Sequence, residues 1–303
     1  MAGVLIGVLE QGLLWGMMVL GVYLTFRVLD FPDMTVDGSF TLGAAVAARM
    51  IFEGYDPWLA TALAITCGVV AGCITGFLHT KLKIAPLLAG ILMMLALYSI
   101  NLRIMGRSML SLLRMDTIYT DVMALGIPEK LAVIALGVTA VLLIGHLIYT
   151  FLQTEIGMAI RATGDNQQMI RSLGVNTDNT KIIGLALANA LVALSGSLVA
   201  QYQSYADIGM GIGMIAVGLA SVIIGEVILG DKTLRRAIIA VLLGSIIYRA
   251  VIAFVMRMGL PTTDLKLFTA VLVVIAMSSP IIKEKLSPHR VKPKESGQRA
   301  VNI

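Results

Sequence analysis

The sequence predicts an all-α polytopic membrane protein of about eight to ten transmembrane helices, one of them interrupted near residues 27–52. Three observations predict it. Hydrophobic residues make up 58% of the 303 and charged residues 14%, where a soluble domain carries about 25% charged. The apolar residues gather in nine stretches: 3–26, 38–52, 57–78, 84–102, 131–151, 182–202, 210–229, 237–255 and 267–282. Most of the basic residues cluster in the segments between those stretches and in the tail. A mean hydropathy of +0.90 excludes a water-soluble globule and a disordered chain alike.

The first stretch, MAGVLIGVLEQGLLWGMMVLGVYLTF, lacks a basic leader and is too long for a signal peptide. It is expected to stay as the first span. Glu10 and Gln11 lie in its middle. A central carboxylate costs about 2.5–3.5 kcal/mol to insert, so Glu10 should face the bundle or a second subunit rather than lipid. The second stretch is too short to cross alone and follows the polar run RVLDFPDMTVDGS. That pairing predicts a broken helix with Asp37, Gly38 and Ser39 at a half-helix N-terminus, where free N–H groups can meet a solute. Asp37 fits equally well as a plain N-cap.

The third to eighth stretches have the length of ordinary spans. Cys67 and Cys73, six apart in the third, fall on different helix faces, so no disulfide is expected. Gly3 and Gly7, Gly12 and Gly16, Gly68 and Gly72, and Gly209 and Gly213 have the four-residue spacing that lets helices approach closely in lipid. Residues 103–130 mix acids and bases and are expected to be partly helical on the outer surface. The domain reading is a membrane domain over 1–282, with an internal loop at 152–181, and a basic tail over 283–303.

Orientation follows from Lys and Arg. With the N-terminus outside, the inner segments hold Arg27, Lys81, Lys83, Arg161, Arg171, Lys181, Lys232, Arg235, Arg236 and six basic residues of the tail. The opposite orientation inverts this bias. The net charge of +5 therefore reflects topology, and no basic stripe interleaved with aromatics points to nucleic acid.

No GxxxxGK[ST] and no HExxH occur, and His79, His146 and His289 are far apart. Enzyme chemistry, a resident metal and an ATP site of the chain's own are not expected. Within 152–181, Asp165 makes a good N-cap with Gln168 three residues on, and Gly174 a natural C-terminal stop. Between them a short helix, Asn166–Leu173, carries Met169, Ile170 and Leu173 as its apolar side and Gln167 and Arg171 among its polar residues. Such a helix either rests on the membrane surface or docks in a partner's groove.

The segment GMAIRATGDNQQMIRSLGVNTDNTKIIGLALANALVALSGSLVAQYQ resembles the loop and following span of ATP-binding-cassette (ABC) importer permeases. The similar group contains the branched-chain amino acid and ribose permeases. The resemblance rests on Gly157, Arg161, Ala162, Leu173, Gly174, Val175, Asn176 and Ser195–Gly196. MTVDGSFTLGAAVAA resembles the family's interrupted second helix, and GLASVIIGEVILG its late Gly-rich segment. The wording is nearest a subgroup of uncharacterised permeases, some assigned to tryptophan or tyrosine. The resemblance covers residues 5–280, and 103–130 matches least.

The resemblance implies a permease fold that does no covalent chemistry and holds no cofactor. ATP and Mg would sit on a separate ABC ATPase subunit. That subunit would dock on Asn166–Leu173, which Arg161, Asp165 and Arg171 would hold in place. A solute-binding protein would deliver a small polar solute from outside, with amino acids ahead of sugars and nucleosides. A second permease copy would complete a homodimer in a bacterial inner membrane. Asp37, Gly38, Ser39, Phe40, Tyr98, Asn101, Gln201 and Tyr202 are the expected pathway residues; Asn189, Gln203 and Tyr205 also carry polar groups within spans. The alternative is a secondary transporter driven by H+ or Na+, with Glu10 as its intramembrane acid.

Overall fold

Helix periodicity and caps account for the architecture of the computed structural model. It describes residues 2–258 apart from 125, 127 and 231, together with scattered helical positions between 267 and 278. The helices in chain order are α1 (Ala2–Tyr23), α2 (Thr35–Phe52), α3 (Pro57–Thr80), α4 (Pro86–Met105), α5 (Ile118–Ala124), α6 (Glu129–Phe151), α7 (Glu155–Asp165), α8 (Gln167–Ser172), α9 (Thr177–Gln203), α10 (Met214–Leu229) and α11 (Leu234–Arg257). Among the described residues, six segments, Gly3–Val28, α3, α4, Leu131–Phe151, α9 and α11, are long and apolar enough to cross a membrane. Eight of the nine apolar stretches thus coincide with helices. Most of the ninth, and the basic tail, lie outside the described residues.

Local chemistry sets the helix ends. Asp56 caps α3 by accepting from the Trp58 and Leu59 amides at 2.9 and 3.0 Å, with Pro57 at the first position. Asn176 caps α9 in the same way. Gly106, with φ +71°, ends α4 where a Cβ would be strained. The all-α expectation misses one feature: strands β1 (Met109–Ser111) and β2 (Tyr205–Asp207) pair antiparallel at one end of the bundle. Each has three residues, too few for a readable alternation. Residues 103–130 are otherwise partly helical, as α5.

The core gathers on α9. Buried Leu14, Met17, Met18, Val36, Phe40, Leu185, Val192 and Val199 join α1, α2 and α9 in one cluster. Small residues allow the approach. A Cβ on Gly43 would strike the Ala193 carbonyl, one on Gly196 the Phe40 carbonyl, and one on Gly72 the Leu185 carbonyl. Gly12 and Gly16 face Ile246 and Leu242 of α11. Two of the four expected glycine pairs therefore bring helices together. Gly3 and Gly7 face open space, and Gly209 and Gly213 lie in a turn rather than a helix. Cys67 and Cys73 are free.

The helix break differs from expectation. α2 runs unbroken from Thr35 to Phe52, and the irregular chain precedes it. α1 passes into a π-helical segment, Leu24–Val28, closed by Leu29 N–H donating to the Leu24 carbonyl at 3.0 Å. Residues 29–34 then leave helical geometry. Asp33, not Asp37, caps α2: its Oδ1 accepts the Thr35 amide at 2.9 Å. Sequence hydropathy marks where a span is short, but not which neighbouring carboxylate meets the free amides.

The packing generates a paired prediction. Gly43→Val should lower the thermal midpoint of the detergent-purified protein by about 5 °C or more, from the ~1–3 kcal/mol of overpacking at a backbone contact. Gly7→Val, in open space, should leave the midpoint unchanged. Equal shifts in both would contradict the assigned α2–α9 contact.

Candidate functional site

A carboxylate in the first turn of α2, just after one break in regular backbone, reaches across the bundle to the other. After β2 the chain turns inward through residues 208–213 and starts α10 only at Met214. Asp37, in the first turn of α2, faces that start. Its Oδ2 accepts the Gly213 amide at 2.8 Å and its Oδ1 the Ile215 amide at 2.9 Å. Asp37 therefore caps α10 rather than α2. Its carbonyl accepts Thr41 Oγ1 at 3.3 Å, and Thr41 Oγ1 accepts the Gly211 amide at 3.1 Å. A Cβ on Gly211 would strike the Asp37 carbonyl, so only glycine fits there.

The junction lies deep. Gly38 packs against Met94 and Leu97, about halfway along α4. Asp33, one turn earlier, is buried, and its Oδ2 accepts Asn189 Nδ2 at 2.8 Å. Thr35 and Thr75 hydroxyls pair at 2.8 Å. Non-helical backbone persists at such depth only where protein or a cavity satisfies it, and these partners do so.

A cavity of about 280 Å³ opens at the junction, lined by Asp37, Gly38, Thr41, Met94, Leu95, Tyr98, Asn101, Ile208 and Ile212. Its walls are mostly apolar, with a few polar groups, the usual make-up of a small-molecule site. Asn101 Nδ2 donates to the Gly38 carbonyl at 3.1 Å, while its buried Oδ1 has no partner among the described residues. The structure thus brings Asp37, Gly38, Tyr98 and Asn101 together. Four other expected pathway residues lie elsewhere. Phe40 is buried against Trp15, with ring centroids 6.4 Å apart. Ser39 is buried and is not among the lining residues. Gln201 is a buried knot: Oε1 accepts the Ile118 amide at 3.0 Å, and Nε2 donates to Thr61 and Ser197. Tyr202 donates to Glu10 Oε2 at 3.0 Å. Glu10 is 7% exposed and faces the bundle, as its insertion cost requires.

Met210, Thr41, Ile208 and Ile212 were not singled out in the sequence, and of these the last three line the cavity. Their signal was weak. Thr41 sits in an apolar run, and residues 208–213 read as the start of a span.

A second candidate region is the 152–181 segment, at the other end of α9 from β2. Asp165 is the last residue of α7, and the chain turns at Asn166, whose side chain accepts the Met169 amide at 3.0 Å. Asn166 therefore caps α8, and the Asp165–Gln168 capping box does not form. The extended backbone of Asn166 (φ −153°, ψ 93°) makes it the point where the helix restarts. Gly174 (φ +86°) ends α8 as expected, its amide donating to the Arg171 carbonyl at 3.0 Å and the Val175 amide to the Ile170 carbonyl at 3.3 Å.

The apolar side of α8 divides. Ile170 is 8% exposed and packs inward, whereas Met169 and Leu173 are 49% and 70% exposed. Arg171 Nε donates to Thr177 Oγ1 at 2.9 Å and Nη2 to Asp178 at 3.1 Å, pinning α8 to α9. Arg161 and Asp165 lie instead on a cleft of about 640 Å³ with Arg27, Asp30 and Lys232. Beside it, Arg27 grips Glu226 of α10 through two parallel bonds of 2.8 and 2.6 Å. Among the described residues, no group of three or more His, Cys, Asp or Glu forms a potential metal site.

Comparison with known proteins places the chain among membrane transport components. The family model for the permease component of the branched-chain amino acid transport system matches residues 4–277. A tyrosine transport system permease protein of Clostridioides difficile is 43% identical, covering 92% of each chain. Protein RP368 of Rickettsia prowazekii is 34% identical over 91% of this chain and 97% of its own. The fructose import permease protein FruF of Bifidobacterium longum is 26% identical over 91% of this chain and 76% of its own. No solved structure matches the chain.

The caps generate a stability prediction. Asp37→Ala leaves the α10 N-terminus uncapped and should cost about 1–2 kcal/mol. The expected readout is a thermal midpoint several degrees lower, with Asp37→Asn intermediate because its amide oxygen still accepts one N–H. An unchanged midpoint in Asp37→Ala would contradict the bridging role.

Proposed function

This chain belongs to the family of branched-chain amino acid transport system permease components, and we propose that it is the membrane subunit of an ATP-driven importer for a small polar solute, an amino acid. It is a multi-pass membrane permease, related to transport components rather than to enzymes. The observation that carries the proposal is the exposed pair Met169 and Leu173 on a helix that is otherwise tied down by Asn166, Ile170 and Arg171. A short rigid helix with two bare apolar side chains fits a knob for a partner's groove.

In this reading a separate ABC ATPase, which binds ATP and Mg, receives α8. The 152–181 segment faces the cytoplasm and the N-terminus lies outside, in keeping with the basic residues at that end. A solute-binding protein delivers the solute to the face bearing β1 and β2. A second copy of the chain completes the pathway as a homodimer, and lipid surrounds it. Closure of the ATPase pair shifts α8 and switches access to the cavity beside Asp37. The permease itself supplies the path and no chemistry.

The solute is an aromatic or branched-chain amino acid. The tyrosine permease relative and the apolar cavity walls of Met94, Leu95, Tyr98, Ile208 and Ile212 support this. The sugar-type relative is less similar, and such walls offer few partners to a sugar's hydroxyl groups. A carrier driven by H+ or Na+ needs a coupling acid in the pathway. Glu10 is hydrogen-bonded to Tyr202 away from the cavity, and both oxygens of Asp37 hold α10.

Co-purification with the ATPase tests the docking assignment. The double substitution Met169→Asp and Leu173→Asp should abolish the complex while the permease still inserts and keeps its thermal midpoint. A complex that survives both changes would refute the assignment of α8.

A further inference from the structure

The 152–181 segment reaches the helix break by two routes. One is direct packing: Gly164 of α7 lies so close to the Val28 carbonyl and Leu29 that a Cβ would collide there. The other is polar and links three elements. Lys181 Nζ, on α9, donates to Gln167 Oε1 of α8 at 3.0 Å and lies 3.2 Å from His79 Nε2 at the end of α3. His79 Nδ1 lies 2.8 Å from the Ile84 carbonyl oxygen.

The chemistry of these partners fixes the imidazole. A carbonyl only accepts, so Nδ1 carries the proton. Nε2 then presents its lone pair to the Lys181 ammonium, which only donates. The imidazole also meets the Phe31 ring edge-on, with centroids 5.2 Å apart and planes at 72°. Phe31 lies in the irregular 29–34 segment, two residues before the Asp33 cap and six before Asp37. The Arg171 bonds end on Thr177 and Asp178, and Asp178 in turn lies 4.0 Å from Lys81 and Lys83, in the turn after α3 rather than at the imidazole.

We propose that His79 is a positioning residue that carries displacement of α8, through Gln167 and Lys181, to Phe31 and the helix break beside the cavity. This rests on the reading of α8 as the coupling helix. The side chain at position 79 follows Lys181 through the acceptor at the Nε2 position, and its body lies against Phe31. A shift of Lys181 therefore presses on Phe31, and the Asp33 and Asp37 caps follow along the chain.

Two isosteric changes separate the bonds. His79→Gln places an amide oxygen near the Nε2 position and keeps an acceptor for Lys181. His79→Asn places its polar atoms near Nδ1 and keeps only the Ile84 contact. Permease, ATPase and binding protein are assembled in proteoliposomes, and uptake of radiolabelled L-tyrosine and ATP hydrolysis are measured together. The His79→Gln transporter should keep its solute-to-ATP ratio within about twofold of wild type. The ratio should fall about tenfold in His79→Asn and in Lys181→Met, with ATP hydrolysis and co-purification of the ATPase retained. Combining His79→Asn with Lys181→Met should add no further loss. A wild-type ratio in His79→Asn or Lys181→Met overturns the proposal. So does an equal loss of uptake and hydrolysis in Gln and Asn variants alike, which marks a merely structural role. Uptake by the wild-type permease without its ATPase removes the coupling reading itself, a result distinct from either of these.

Discussion

Backbone amides that leave a helix inside an apolar bundle must find acceptors within the protein, and this constraint organises the molecule. Residues 29–34 and 208–213 both leave helical geometry, and both are served by aspartates of one short stretch. Asp33 takes the Thr35 amide and Asn189, and Asp37 takes the Gly213 and Ile215 amides. The two carboxylates thereby fix where α2 and α10 begin. The cavity exists because those two starts face each other across Gly38, Thr41 and Gly211 rather than continuing as full spans.

The rest of the bundle braces this junction. α9 runs behind it with Gly196, Asn189 and Leu185 in backbone-close contact with α2 and α3. α11 closes on α10 in the same manner, since a Cβ on Gly225 would meet the Ala240 carbonyl and one on Gly244 the Ser221 carbonyl. In lipid, where apolar burial favours no helix pair over another, such close packing and interhelical hydrogen bonds hold helices together. Arg27, in the π-helical segment after α1, holds Glu226 near the end of α10, so α10 is held at both its start and its finish.

Much of this was readable in the chain because the signals are local. The apolar stretches mark the helices, and Gly174 marks the stop of α8 through the φ that only glycine takes easily. The unread parts depend on partners distant in sequence. Asp37 meets amides 176 and 178 residues away, so its local context shows only a cap near a helix start. Gln201 read as a pathway donor because it is polar within a span; the structure binds it to Ile118, Thr61 and Ser197 instead. Asp165 and Asn166 are both good caps and adjacent, so composition alone misplaces the start of α8 by one residue. The three-residue strands are too short to leave a period.

The central claim is that the cavity beside Asp37 changes the side to which it opens when the docked ATPase binds nucleotide. A single-cysteine variant, Tyr98→Cys with Cys67→Ser and Cys73→Ser, reports this directly through a membrane-impermeant maleimide applied to either face. The account predicts that labelling of residue 98 moves from one face to the other when the complex is trapped with ATP and vanadate. Equal labelling from the same face in both nucleotide states would contradict it.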